Sequence, residues 1–221
     1  MGQALFRIFF KKIPNFTRMK DQLWPLWGLF LLLIACGSGK NAETSATFTA
    51  EGHLRAVIEI PAGTNRKVTY DPGLRTFAVE QRDGADRVID FLPYPANYGF
   101  IPSTRVAAAQ GGDGDPLDVF VVAESLPSAI TLEVLPLAVI DTEDDGEQDP
   151  KILAVPLRES RRIIQATTLA ELEQDYPAIK DIMTLWLTHY DPGDSTRVLG
   201  WRDEVAARQL IEAHASAEAD D

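Results

Sequence analysis

Cysteine is nearly absent from this chain. Cys36 is the only one in 221 residues, which rules out an internal disulfide and any cysteine-based zinc cluster. Histidine is scarce too, with three residues, His53, His189 and His214. Positive charge is in short supply. Lysine and arginine number 21 against 33 acids, for a formal net charge of -12. Phosphate backbones attract basic proteins, so a nucleic-acid partner is not expected. Long apolar runs are missing as well. The stretch at 23–35, "LWPLWGLFLLLIA", falls short of the ~20 residues that a membrane-crossing helix needs. No internal repeat is visible. A hydrophobic share of 45% and a charged share of 24% are ordinary for a globular protein, and this length suits one domain.

The N-terminal region has its own character. Arg7, Lys11, Lys12, Arg18 and Lys20 precede the apolar run with no acid among them. A basic region, a short apolar core and small residues at its end have the pattern of a secretory signal. The run closes on "LIAC" and is followed by "GSGKNAETSA". This resembles the lipobox of bacterial lipoproteins, in which the cysteine becomes the acylated first residue. The resemblance implies a signal peptide at 1–35 and lipidation of Cys36. The small, polar composition that follows reads as a flexible tether at 36–50, ahead of a body at 51–221. The lipobox resemblance further implies export and anchoring to a bacterial membrane, on the periplasmic side.

Within the body, short strand signals come first and helical ones late. "LRAVIEIP" at 54–61 predicts a strand ended by proline. "RKVTYDPGLRTFAVE" predicts two strands around an Asp71-Pro72-Gly73 turn. The three prolines of "RVIDFLPYPANYGFIP" predict an irregular connection. "LDVFVVAE", "AITLEVLPLAVID" and "KILAVPL" read as further strands. Thr168 with Glu171 three residues on makes a capping box. From 177 to 190, Ile179, Ile182, Met183, Trp186 and Leu187 share one helical face. A third amphipathic helix is predicted at 203–214. Strands followed by helices suggest the α+β class: a small closed five-stranded, OB-like β-barrel with helices packed outside.

Acids crowd into two loops beside apolar strands. "GGDGDPLD" sets Asp113, Asp115 and Asp118 within six residues. "DTEDDGEQDPK" adds Asp141, Glu143, Asp144, Asp145, Glu147 and Asp149, and ends at Lys151. Such crowding is unfavourable unless cations screen it. Hard divalent ions such as Mg²⁺ select carboxylate oxygens and commonly bridge protein to phosphate. The EF-hand spacing is not met, so a calcium loop of that kind is not expected.

"DGDPLD" resembles the signature of the family I soluble inorganic pyrophosphatases. "VIEIPAGTNRKV", with Glu59 and Lys67, resembles the family's first active-site segment. "YPANYGFIP" is similar to its paired-tyrosine segment, giving Tyr94 and Tyr98. "DDGEQDPKILAVP" is similar to its second metal loop, and "HYDPGDSTRVLGW" to its C-terminal segment with Tyr190. The resemblance implies that Asp113, Asp118, Asp144 and Asp149 hold several Mg²⁺ ions. Asp115 would accept a proton from the attacking water, with Tyr98 beside it. Lys67, Lys151, Tyr98, Tyr190 and an arginine, Arg82 or Arg87, would hold the phosphates. Glu59 and Tyr94 would complete the site, and the assembly would be a homo-oligomer. Two positions depart from the family pattern. Thr69 stands where a glutamate is usual, and Asp191 where a lysine follows the tyrosine. Each departure should weaken the hold on phosphate or metal.

The expected function is Mg²⁺-dependent hydrolysis of inorganic pyrophosphate to two orthophosphates by a metal-activated water. The alternative is a non-catalytic lipoprotein that binds phosphate or divalent cations. The complete aspartate set favours the enzyme.

Overall fold

A computed structural model describes residues 41–106, 114–193 and 195–216. Cys36 and Asp113 lie outside the described residues. The strands are β1 (Leu54–Ile60), β2 (Val68–Asp71), β3 (Thr76–Val79), β4 (Gln81–Arg82), β5 (Ala85–Asp86), β6 (Asn97–Phe100), β7 (Asp118–Val121), β8 (Thr131–Asp144), β9 (Glu147–Gln148), β10 (Lys151–Pro156) and β11 (Arg197–Asp203). The helices are α1 (Leu169–Asp175), α2 (Ala178–His189) and α3 (Glu204–His214).

Five strands close on themselves. β1 pairs with β6, β6 with β7, β7 with β10, β10 with β8, and β8 returns to β1. All these pairings are antiparallel except β7 with β10. β11 adds to the far side of β8. The arrangement is the expected closed barrel with helices outside.

Alternation along the strands divides the core. Phe120, Leu153 and Val155 join a cluster with Leu172 of α1 and Met183, Trp186 and Leu187 of α2. Val119, Val121, Ile152 and Ala154 join a second cluster with Ala207 and Ile211 of α3. Side chains on a strand alternate faces, so neighbouring residues serve different clusters. β7 and β10 are buried on both faces, which explains why "VFVV" and "ILAV" read as continuous apolar runs.

Three expectations need correction, and one strand, β11, has no counterpart among them. Residues 97–100 are not irregular: β6 lies between β1 and β7. The three prolines flank that short strand, at 93, 95 and 102, and leave its ladder intact. β11 carried no clear signal, because it is a half-exposed edge strand with charges at both ends. Ile182 is exposed rather than packed in the helical face. Residues 41–50, read from composition as tether, dock on the body. Thr47 is buried and donates its hydroxyl to the Pro102 carbonyl at 2.8 Å. The Ser103 N–H donates to the Glu43 carbonyl at 2.6 Å. Small polar residues look loose in a sequence but serve as hydrogen-bonding partners when backbone lies beside them.

The expected helices α1 and α3 carry their caps. Thr168 accepts from the Glu171 N–H, and the Glu171 carboxylate accepts from the Thr167 N–H and hydroxyl. Asp203 caps α3 by accepting from the Ala206 N–H at 2.9 Å.

Candidate active site

The two acidic loops meet at one cleft of about 400 Å³. Its lining includes Glu59, Lys67, Thr69, Tyr98, Asp115, Asp118, Asp144, Asp149, Lys151 and Tyr190.

The strand register fixes the centre. Lys151 starts β10 directly beside Asp118, which starts β7. Lys151 is buried, and its Nζ lies 2.6 Å from Asp118 Oδ2 and 2.7 Å from Asp149 Oδ2. Burial would discharge this ammonium, but the two carboxylates outweigh it and hold the pKa above that of an ordinary lysine. Asp149 is fixed through its backbone: its N–H donates to the Thr142 carbonyl at 3.0 Å, and the Thr142 hydroxyl donates to its carbonyl. Asp144 accepts from the Thr196 hydroxyl at 2.9 Å.

The first acidic loop is held from behind. The Arg105 guanidinium donates to the Gly114 carbonyl at 2.6 Å, and the Leu117 N–H donates to the Thr104 hydroxyl at 2.9 Å. Gly114 has a φ of 90°, a left-handed conformation that glycine adopts without strain. That turn leaves Asp115 exposed at the cleft.

Aromatic rings position the hydroxyls. Trp186 stacks on Tyr190 with centroids 4.8 Å apart and touches Tyr94 at 4.6 Å. Tyr94 leads to Tyr98, and Tyr98 to Phe120. Trp186 is locked by donating from Nε1 to the Leu92 carbonyl at 2.9 Å. Burial, with the charges of Asp118 and Asp149, raises the Tyr98 pKa and keeps its hydroxyl a hydrogen-bond donor towards Asp118. Tyr94 is not among the cleft's lining. It is a buried core ring whose phenol burial likewise keeps protonated.

Glu59 is nearly buried and accepts from the Tyr70 N–H at 2.7 Å. Burial pushes its pKa up to about 8.

Arg82 and Arg87 do not line the main cleft. They line an adjoining pocket of about 270 Å³ that shares Tyr190 with it, and both pair with Asp191. Two residues escaped the sequence reading. Glu80 pairs with both Lys67 and Arg87. Glu43 lines the cleft, and its pKa is raised by burial and by Asp115 despite the attraction of Arg105. No sequence signal marked either one; only the folding of their segments brings them here.

Among the described residues, no group of three or more acidic, histidine or cysteine side chains is close enough to hold a metal ion. The donor set nonetheless suits one. The cleft offers carboxylate oxygens with neither histidine nor cysteine, the preference of a hard divalent cation. The buried Lys151 ammonium between Asp118 and Asp149 shows that the pair gathers positive charge.

Oxygen-only acids, lysines and tyrosines on the rim of a closed barrel describe a hydrolase that handles phosphate on an OB-type fold. The comparisons with known proteins agree. The family model described as inorganic pyrophosphatase matches residues 56–218. The inorganic pyrophosphatase of Neisseria meningitidis serogroup A is 35% identical over 164 residues, 72% of this chain and 85% of that protein. That of Haloferax volcanii is 32% identical over 173 residues, 74% of this chain and 86% of the other. The crystal structure of the Thermus thermophilus inorganic pyrophosphatase superposes with a TM-score of 0.68 at 27% identity, covering 79% of this chain and 97% of that one. The Neisseria gonorrhoeae structure gives 0.64 at 32% identity, covering 77% and 94%. This chain therefore belongs to the inorganic pyrophosphatase family, and its activity is the hydrolysis of inorganic pyrophosphate.

Proposed function

We propose that this chain is a Mg²⁺-dependent pyrophosphatase that is exported and held on a bacterial membrane through lipidated Cys36, facing the periplasm. The observation that supports the metal dependence is the cleft in which Asp115, Asp118, Asp144 and Asp149 converge with Lys67, Lys151, Tyr98 and Tyr190. Asp113, Asp118, Asp144 and Asp149 would hold the ions, which would supply charge neutralisation and lower the pKa of a water so that it loses its proton readily. Asp115, exposed on its glycine turn, accepts the proton. Lys67, Lys151 and Tyr190 orient the phosphates, and the two lysine charges are suited to a loose phosphoryl-transfer transition state. Tyr98 donates to the acid cluster and keeps it in place. Phosphate release from pyrophosphate by the chain beginning at Gly37, with Mg²⁺ and with chelator, tests the metal requirement. Release unaffected by chelation would contradict it.

The support for export is the lipobox-like "LIAC" after a basic, apolar leader. Metabolic labelling with palmitate should mark the wild type and not Cys36→Ser. A homo-oligomer is part of the same proposal, and sedimentation of the lipid-free body tests it. A single-subunit mass at micromolar concentration would count against it.

A further inference from the structure

Beside Tyr190 runs a string of alternating charges. Lys67 Nζ lies 3.4 Å from Glu80, and Glu80 accepts from Arg87 at 3.0 Å. Arg87 and Arg82 then converge on one atom, Asp191 Oδ2, at 2.7 and 3.1 Å. Without that carboxylate, two guanidiniums so close would repel each other.

Asp191 is itself fixed. Its Oδ1 accepts from the Gly193 N–H at 3.0 Å, and its side chain is only 10% exposed. Burial alone would raise its pKa, but the hydrogen bonds from Arg87 and Gly193 and the charge of Arg82 hold it below the ordinary carboxylate value. Arg82 has little else to place it. It sits on the two-residue hairpin of β4 and β5, which is exposed throughout. Arg66 also reaches this hairpin, pairing with Asp86 at the longer distance of 3.8 Å.

We propose that Asp191 is a positioning residue, which holds Arg82, delivered by the hairpin, towards the phosphate end of the substrate. The inference rests on reading the cleft as a pyrophosphate site. Where the family resemblance expects a lysine after the tyrosine, this chain holds a carboxylate that gathers two arginines. A guanidinium has five N–H donors in a planar fork, so Arg82 can give Nη1 to Asp191 and keep its other edge for phosphate. The aspartate is thus not a bare loss of charge. It orders a hairpin cation that would otherwise sweep through solvent, at the pocket that shares Tyr190 with the cleft.

The two views predict opposite signs. In the full-length chain at saturating Mg²⁺, Asp191→Asn should raise the KM for pyrophosphate about five- to tenfold and leave kcat within about twofold, because binding is lost without a change in chemistry. Arg82→Ala should give the same split. Asp191→Glu should restore KM to within about twofold. Calorimetric binding of imidodiphosphate, which is not turned over, should weaken by the same factor as KM rises. Arg82 is half exposed, so its removal leaves the fold intact. An unchanged KM in Arg82→Ala, or a lower KM in Asp191→Asn, beside an active wild type overturns this inference and leaves the pyrophosphatase reading standing. A folded wild type without turnover fails that reading, and this inference with it.

Discussion

Lys151 and Asp118 begin two adjacent parallel strands in register, and the lysine Nζ stands 2.6 Å from the aspartate Oδ2. Strand pairing, rather than a flexible loop, sets this contact. The same ammonium reaches Asp149 at 2.7 Å, so one buried cation ties together the two acidic loops that the sequence keeps apart. Removing it should expose their repulsion. Lys151→Met should destabilise the metal-free protein by roughly 3 kcal/mol, since both carboxylates lose their partner. Divalent ions should restore more of the melting temperature in the variant than in the wild type. Thermal melts in chelator and in Mg²⁺ measure the difference, and equal losses in the two buffers would refute it.

Glu59 sets the pH response of the metal-free fold. Its folded pKa of about 8 lies above the ordinary value of 4.5. Between those values the folded state binds the proton more tightly than the unfolded one, so stability falls as pH rises from about 4.5 to about 8. Glu80 and Asp191, whose values are depressed, act at lower pH with the opposite sign. Urea unfolding at pH 5.5 and 8.5 in chelator should give a lower midpoint at pH 8.5, and Glu59→Gln should flatten the slope. A wild-type midpoint that rises across this window would be incompatible with a buried, protonated Glu59.

Gly99 allows β6 to lie against β1. A Cβ at this position would stand 1.9 Å from the Val57 carbonyl oxygen, with backbone on both sides and no side chain to yield. Gly99→Ala should cost about 3 kcal/mol or more, at the upper end for overpacking. It should also displace Tyr98 next door, so activity should fall with stability. A near-neutral chemical denaturation curve would show that the two strands can part cheaply.

These relationships mark how far the sequence could be read. Apolar runs and turn residues were enough for β1, β7, β8, β10 and the Asp71-Pro72-Gly73 hairpin, because burial on one or both faces leaves a strong pattern. β6 was hidden by the prolines around it, and β11 by the charges of an exposed edge. The family motif located Asp115, Asp118, Asp144, Asp149, Lys67 and Lys151, and the structure brings all six to one cleft. Arg82 and Arg87 stayed indistinguishable as sequence, since the hairpin that carries one to the other's partner is a tertiary fact. Glu80 and Glu43 showed no local signal. Their roles depend on which cation lies opposite, and no periodicity records that.

Phosphate release from pyrophosphate, measured with and without Mg²⁺ for the wild type beside Asp115→Asn, is the sharpest test of the metal-activated mechanism. Release by the wild type should depend on the metal. Asp115→Asn should fall by at least about hundredfold, the scale for losing a positioned general base, while calorimetry still detects Mg²⁺ binding. Full turnover by Asp115→Asn, or none by a folded wild type at millimolar Mg²⁺, would contradict that mechanism.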